Sequence, residues 1–483
     1  MDNFALCGMV MFPLPKGRSC WHPTLCLGPS CYVDQTDYKR PIESERFAAA
    51  KISKGWPVIT TESLFQDQGV FPGPLILPKD DLTTDPDCPA QDVEKWADNK
   101  DRNPVTANRK TIYLVPSPTI SEEMAPMRSW SASIGSSRVA QPQPSASIKS
   151  LDIEDMREYI AATYYGMEVS LLPAHFSWQA WQDVKERGEK GKSVKPRYDG
   201  TPLVSSTEEQ LVGLQTPQDQ LWGIRCRQSP DGVSSMQINL DGVLNALSEK
   251  IPEDAYAVIM ILDQDIWEGD DDIFASGRAY GGSRIAVVSR FRDHPSLMDE
   301  SEVHTWPLSH CIQFVERSYM PPGRRSKARA RYAGSDPMYR ARSAAGYLPD
   351  KMTPEMQSLQ WVARVTQAAI HELGHCFGLE HCVYFACVMQ GSASSSEARR
   401  QPPFFCPICL EKIAHAIGHG TVEGWDDDGP EGREVRDSYL QNRYKGLENF
   451  CEKMNSRTPS RLLAGYQAWL STLLKQPADY RRH

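Results

Sequence analysis

The sequence contains no run of 18 or more apolar residues, the length at which a transmembrane helix becomes a candidate. It also has no excess of basic residues, since 53 Lys and Arg against 62 Asp and Glu give a net charge of -9. Proteins that bind nucleic acid normally carry a basic surface. We therefore expect neither a membrane nor a nucleic-acid partner.

The N-terminal segment lacks the features of a secretory signal peptide. An acidic residue, Asp2, stands where a basic region is expected, and Gly8, Pro13 and Pro15 interrupt the apolar stretch. The 13 cysteines are an odd number in a chain of 483 residues, which does not favour a disulfide framework. We expect an intracellular protein, cytoplasmic or nuclear, whose cysteines are metal ligands or buried thiols.

Hydrophobic patterning predicts both helices and strands. The residues 184–235 are polar and predict no particular element. The predicted strands are 110–118, a short segment from Val169, 255–267 (buried on both faces) and 278–291, which is entered through Gly281 and Gly282. The predicted helices are 43–55, 151–166, 234–253, one from Thr353 to Gly378, 406–418, and two within 433–476.

One segment carries the pattern His-Glu-x-x-His-x-x-Gly-x-x-His. His371 and His375 are four residues apart on a predicted helix, so their imidazoles share one face, as two ligands of one zinc ion must. Gly378 allows the chain to double back, so that His381 can supply a third nitrogen. Three protein ligands leave one tetrahedral position for water, which is typical of a catalytic rather than a structural site.

Glu372 lies beside the predicted metal without ligating it, where a general base is needed. It would take a proton from the attacking water and pass it to the leaving amine, so peptide hydrolysis is the natural reaction for this set of residues. A short His-Glu-x-x-His match also occurs on polar faces of unrelated helices. The extended pattern fixes five positions and is the metzincin signature.

Two pairs of cysteines follow directly. Cys382 and Cys387 are separated by four residues, and Cys406 and Cys409 form a Cys-x-x-Cys. Four thiolates in two closely spaced pairs predict a closed, structural tetrahedral zinc site. The alternatives are four buried thiols or a redox-active pair.

These residues resemble the archaemetzincins, a branch of the metzincin-type zinc metallopeptidases. The resemblance covers the motif from His371, the cysteine pairs and the run CPICLEK, and it extends to residues 108–118 and 236–418. It implies a peptidase of aminopeptidase-like character that acts on a peptide or protein substrate. It also implies two Zn²⁺ ions, one catalytic and one structural, and a Met-turn in which Met389 forms an apolar floor under the catalytic metal.

The fold expected from the resemblance is an α+β, metzincin-like zinc-protease core. A mixed twisted sheet would carry the active-site helix beneath it, with a four-cysteine zinc site adjacent, and residues 278–291 would form the edge strand along the cleft. We expect an N-terminal region of unknown role at 1–107, a catalytic domain at 108–420 and a helical C-terminal extension at 421–483. Within the catalytic domain, 129–150 predicts a Ser- and Pro-rich linker and 321–348 a basic insertion.

Several other residues have two interpretations. Cys376 points away from the metal face and is predicted to be a core thiol. Asp263 and Asp265 are predicted to form a turn or cap rather than an acid–base pair. His304 and His310 are predicted to be loop histidines rather than groups near the active site. A third zinc site, or a thiolate that caps the catalytic zinc, would draw on Cys20, His22, Cys26 and Cys31, but their spacing fits no standard zinc template and favours neither.

Two further functions compete with the peptidase interpretation. The chain would be a zinc-stabilised protein-interaction module if the histidine site were a relic, but a relic has no need of Glu372. A metal-dependent hydrolase of a non-peptide amide would use the same residues, and only substrates distinguish it from a peptidase.

Overall fold

The computed structural model describes residues 24–30, 32–51, 69–131, 152–181, 210–249, 251–297, 304–319, 336–349, 351–425 and 429–475. Within these ranges the strands are β1 (Thr111–Val115), β2 (Thr119–Ile120), β3 (Glu168–Leu171), β4 (Ser177–Ala180), β5 (Gln210–Gln215), β6 (Leu221–Gln228), β7 (Met236–Asn239), β8 (Ala255–Leu262), β9 (Asp265–Trp267), β10 (Gly277–Tyr280) and β11 (Ile285–Ser289).

The helices of the same ranges are α1 (Glu43–Ala49), α2 (Asp81–Thr84), α3 (Val93–Asp98), α4 (Ile153–Thr163), α5 (Leu240–Ser248), α6 (Ile312–Tyr319), α7 (Pro337–Gly346), α8 (Pro354–Cys376), α9 (Ser395–Ala398), α10 (Pro407–Thr421), α11 (Gly429–Arg457) and α12 (Arg461–Lys475). Among the described residues, no helix is both long enough and apolar enough to cross a membrane.

A five-stranded mixed sheet packs against helix α8, which holds His371 and His375. Its strand order is β10-β11-β8-β1-β3, and all neighbours are parallel except the hairpin of β10 and β11 at one edge. Helix α8 packs against β11 and β10. The helix therefore lies under the edge of the sheet that remains open to a further strand.

A second mixed sheet, in the order β2-β4-β5-β6-β7-β9, packs on the other face of the first. The residues of β8 show this arrangement, because they alternate between two hydrophobic clusters. Ile259 and Ile261 belong to the cluster that contains α8, whereas Val258 and Met260 belong to the cluster shared with the second sheet. The prediction that this strand is buried on both faces is confirmed, as is the α+β class with mixed sheets.

Three sequence predictions about element boundaries are corrected. The predicted helix 234–253 begins only at Leu240, since its first residues form β7. The predicted strand 255–267 is two strands, β8 and β9, which belong to different sheets. The predicted strand 278–291 is a hairpin, in which Gly281 and Gly282 form the turn instead of the entry.

Two strands, β5 and β6, lie in the stretch for which the sequence predicted no element. Val212 and Leu214 on β5, and Ile224 and Cys226 on β6, are buried at alternate positions. The hairpin turn between the strands includes Asp219, which has a positive φ of 60°. The alternation of apolar and polar residues that indicates a strand is present in both segments. It is short and surrounded by polar residues, so the sequence did not predict these strands.

Helix α8 begins and ends as its sequence predicts. The Thr353 side chain accepts a hydrogen bond from the Met356 amide at 3.3 Å, and Pro354 occupies the first turn, where its missing N–H costs nothing. Gly378 follows the helix with a φ of +79°, a conformation that favours glycine. The chain therefore reverses at this point and returns to the face that carries His371 and His375.

Residues from both ends of the chain contribute to the cluster around α8. Trp469 of α12 donates a hydrogen bond to the Val70 carbonyl at 3.0 Å and stacks on Phe404 with ring centroids 4.5 Å apart. Leu25, Phe71 and Trp96 from the N-terminal region are buried in the same cluster. The regions that flank residues 108–420 therefore share a hydrophobic core with them.

Candidate metal centres and active-site cleft

The three histidines of the motif converge on one point. His371 and His375 lie on α8, and the turn at Gly378 brings His381 to within 4.8 Å of them, measured between the potential ligand atoms. The two Nε2 atoms of His371 and His375 are 3.1 Å apart. All three imidazoles are half-buried and line a cavity of about 950 Å³. This donor set fits a metal ion that keeps one side open to the cavity.

Backbone carbonyls hold two of the imidazoles from behind. The Nδ1 atom of His371 lies 2.7 Å from the Val388 carbonyl oxygen, and that of His375 lies 2.7 Å from the Leu379 carbonyl oxygen. A proton on each Nδ1 leaves Nε2 free as a ligand. Burial lowers the pKa of all three histidines, and that of His375 to about 4, so the neutral form that binds metals prevails.

Glu372 is buried next to this group, at 9% exposure. Burial raises its pKa to about 8, while Arg278 lowers it and Glu268 raises it. A bound cation would lower the pKa again. Its side chain fits against β10 because residue 277 is glycine: a Cβ there would lie 3.0 Å from the Glu372 Cγ. Glu372 thus stands between the histidines and the open strand edge.

Met389 lies below the histidines and is fully buried. Gly374 lies on α8 between His371 and His375. A Cβ at this position would collide with the Met389 sulfur. The thioether therefore packs tightly against the backbone of the helix that carries two of the histidines. The packing agrees with the floor that the resemblance implies for this residue.

The four cysteines form a second, closed group. The sulfurs of Cys382, Cys387, Cys406 and Cys409 all lie within 4.8 Å of one another, and all four residues are buried. The Cys387 sulfur accepts hydrogen bonds from the amides of Met389 and Cys406, at 3.4 and 3.2 Å. The pKa of Cys382 is lowered because the other three thiols donate to its sulfur. A tetrahedral metal ion fits this set and would leave no position open.

Residues from the N-terminal region, which the sequence did not single out, brace the loops that carry both groups. The Gln91 side chain donates to the Gly378 carbonyl at 3.0 Å and accepts from the Glu380 amide at 3.2 Å. The Trp96 indole donates to the Phe377 carbonyl at 2.9 Å. These contacts fix the turn between His375 and His381. No sequence signal could identify them, because the partners lie almost 300 residues apart.

The loop between the cysteines is held in a similar way. The Tyr38 hydroxyl donates to the Val383 carbonyl at 2.5 Å, and Arg40 Nε donates to the Tyr384 carbonyl at 2.7 Å. The Arg40 guanidinium also lies over the Phe385 ring, 5.0 Å from its centroid. Tyr384 and Phe385 therefore serve the packing of this loop.

The other sequence candidates lie outside the cavity lining. Asp265 is buried and bonded to Arg292 at 2.8 Å, and Asp263 pairs with Arg290 at 2.7 Å. His310 is fully buried and His304 stacks on Phe314, with centroids 4.3 Å apart. Asp263 lies between β8 and β9, where a turn was predicted, but the prediction is wrong for Asp265, which begins β9 and forms a buried ion pair. Cys376 is buried, as expected of a core thiol.

Cys26 is half-buried, and its sulfur lies 3.7 Å from the Gly28 carbonyl oxygen. The other members of this group, Cys20, His22 and Cys31, lie outside the described residues, as do most of 129–150 and the first half of 321–348.

Comparisons with known proteins agree with the motif. Residues 351–415 match peptidase family M54. The chain is 25% identical to archaemetzincin-2 of Pongo abelii over 400 residues, which are 82% of this chain and 79% of that protein. It is also 25% identical to archaemetzincin-2 of Homo sapiens over 414 residues, covering 85% of this chain and 82% of that one. The resemblance seen in the sequence is confirmed.

The similarity extends beyond the residues that carried the resemblance, because the 400 matched residues are more than 108–118 and 236–418 contain together. A structural comparison finds an archaemetzincin from Archaeoglobus fulgidus, solved with malonate, at 18% identity and a TM-score of 0.28, covering 62% of this chain and 99% of that one. A TM-score this low does not establish a shared fold.

Proposed function

We propose, from the premise that this chain belongs to the archaemetzincin family of zinc metallopeptidases, that it hydrolyses peptide bonds at a centre formed by His371, His375 and His381. Glu372 is the general base of this reaction. One observation carries the proposal: three imidazoles converge beside a buried carboxylate, at a cavity bordered by an open strand edge.

The chemistry of the donors fits zinc at both groups. Three neutral nitrogens with one open side suit a catalytic ion, and four buried sulfurs suit a structural ion. His371, His375 and His381 would hold the catalytic ion, and zinc there would supply a Lewis acid able to polarise a carbonyl group and to lower the pKa of water. We therefore propose two zinc ions for each chain, one in each group.

Glu372 performs the proton transfers. Its carboxylate takes a proton from the water whose oxygen forms the new bond to the substrate carbonyl carbon. It then gives that proton to the nitrogen of the leaving amine as the C–N bond breaks. The burial of Glu372, which favours its protonated form, supports the first transfer, because a carboxylate whose pKa is raised is a stronger base.

Strand β10 supports an extended peptide substrate. It is the edge strand beside α8, and Gly277, Arg278 and Ala279 line the cavity together with the histidines. A peptide would add to this edge as a further strand.

We propose an aminopeptidase-like mode of cleavage, with neither nucleic acid nor membrane as a partner and an intracellular location. We also propose that residues 108–420 form the catalytic domain, with 1–107 and 421–483 as flanking regions that share its hydrophobic core.

The decisive experiment compares purified wild type with His371→Ala and Glu372→Gln. Elemental mass spectrometry should find about two zinc ions per chain in wild type and in Glu372→Gln, but about one in His371→Ala. A peptide library should be cleaved by wild type alone. The proposal fails if Glu372→Gln keeps full activity. One zinc ion in all three proteins would instead favour the catalytically silent interaction module.

A further inference from the structure

The third histidine differs from the other two in what stands behind it. The imidazoles of His371 and His375 each face a backbone carbonyl through Nδ1. Within the described part of the chain, the structure gives the Nδ1 of His381 no such carbonyl partner. A metal-binding histidine almost always donates its second N–H to a carbonyl, a carboxylate or water, because this bond fixes the ring orientation.

A carboxylate from the N-terminal region, that of Asp81, lies near this position. A Cβ added to Gly391 would collide with the Asp81 Oδ2 atom and lie 2.9 Å from the His381 Nδ1. Both atoms therefore border the same small space above the Gly391 backbone. Asp81 is not among the residues that line the cavity, whereas His381 is. The carboxylate thus stands behind the imidazole, away from where a substrate would bind.

A buried network fixes Asp81 in this place. Its amide donates to both oxygens of Glu397, at 3.2 and 2.9 Å, and the Ala393 amide donates to Glu397 at 2.8 Å. The neighbouring Asp80 accepts from Arg400 at 2.5 Å. Glu397 and Arg400 belong to the segment that follows Gly391. The network therefore ties α2 to the segment beside His381.

The Asp81 carboxylate is half-buried, and within the described residues no side chain donates a hydrogen bond to it. Its oxygens are therefore available to an N–H group of the neighbouring imidazole.

We propose that Asp81 is a positioning residue for His381: its carboxylate orients the imidazole through Nδ1 and thereby holds the third ligand of the proposed metal centre. The inference rests on the proposed function and assigns a role in it to the N-terminal region. Asp81 touches neither substrate nor metal and acts only through His381.

The test compares Asp81→Asn with Asp87→Asn, which removes the same charge from an exposed neighbour. Zinc affinity of the histidine centre is measured by competition with a chelator that leaves the cysteine-bound ion in place. We expect Asp81→Asn to weaken zinc binding about 10- to 100-fold, with kcat lowered at nearly unchanged KM. Asp87→Asn should leave zinc binding unchanged.

A second pair of variants separates positioning from mere stability. In a His381→Ala background, Asp81→Asn should have no further effect on zinc affinity, because the imidazole through which it acts is gone. Two results overturn the proposal: Asp81→Asn binding zinc as tightly as Asp87→Asn, or an equal loss in the His381→Ala background. Retention of the wild-type zinc content by His371→Ala would contradict the proposed function itself. Loss of one zinc ion in His371→Ala together with unchanged zinc binding in Asp81→Asn would contradict this inference alone.

Discussion

The histidine group and the cysteine group meet in the sequence at His381 and Cys382, yet their surroundings carry opposite charge. The histidine group is half-buried beside a cavity, and the carboxylates of Glu372, Asp81 and Glu380 lie around it. Arg278 is also near but is paired with Glu268 at 3.0 Å. The cysteine group is fully buried, and the cations Arg40 and Lys412 act on its sulfurs.

The difference follows from the net charge that each group would carry with zinc. A divalent ion on three neutral imidazoles leaves two positive charges, whereas the same ion on four thiolates leaves two negative charges. A buried charge is costly unless opposite charges lie nearby. The charges around each proposed centre are thus opposite in sign to the charge that the centre would carry with zinc. Exposure to the cavity distinguishes the open histidine centre from the closed cysteine centre. Four predictions test this contrast.

The largest expected effect is the loss of the closed centre. Cys409→Ser removes a ligand of a structural zinc whose binding contributes on the order of 10 kcal/mol to folding. We expect the variant to lose cooperative thermal unfolding, measured by circular dichroism. Cys451→Ser changes a fully buried thiol outside the group and serves as the control. Equal losses in the two variants would show that the group has no special role.

Chelation should separate the two centres next. A chelator in excess should remove the ion from the open histidine centre first, because one face of it meets the cavity. We expect complete loss of peptidase activity while the circular dichroism spectrum and one zinc ion remain. Elemental analysis measures the loss of each ion over time. Loss of both ions at the same rate would contradict the distinction between an open histidine centre and a closed cysteine centre.

Gly374→Ala tests the floor of the open centre. Alanine favours a helix over glycine by about 1 kcal/mol, so on an exposed helix it would stabilise. Here the new methyl group would collide with Met389. We expect a net destabilisation of about 1–3 kcal/mol in chemical denaturation, together with weaker zinc binding at the histidines. Gly446→Ala, with open space around its Cβ position, should be neutral or stabilising.

Lys412→Met should have the smallest effect. The Lys412 ammonium is buried and donates to the Gln91 carbonyl and side chain at 2.7 and 2.6 Å. Its removal should destabilise by about 1 kcal/mol and speed zinc release from the cysteines to a thiol reagent. Lys453→Met, which removes an exposed partner of Glu158, should cost under about 1 kcal/mol. Unchanged zinc release would show that Lys412 does not compensate the thiolates.

Much of the candidate site is encoded in short segments of sequence. The spacing of His371 and His375 follows from the helical period, and the cap at Thr353 and the turn at Gly378 set the helix ends. β1 and the burial of β8 on both faces were also predicted from short segments, because a short continuous apolar run indicates a buried strand. The hairpin of β10 and β11 was missed since its short strands differ little in pattern from one longer strand.

The residues around the site depended on the tertiary structure. Asp81, Gln91 and Trp96 lie nearly 300 residues before the loops that they contact, and no local periodicity reports such pairings. The two sheets likewise divide 255–267 between them, although its residues form one apolar run. The sequence by itself determined the two donor sets, because each depends on helical period and short spacing. Only the folded chain decided which charges surround each set, because burial and long-range contacts exist only after the chain has closed on itself.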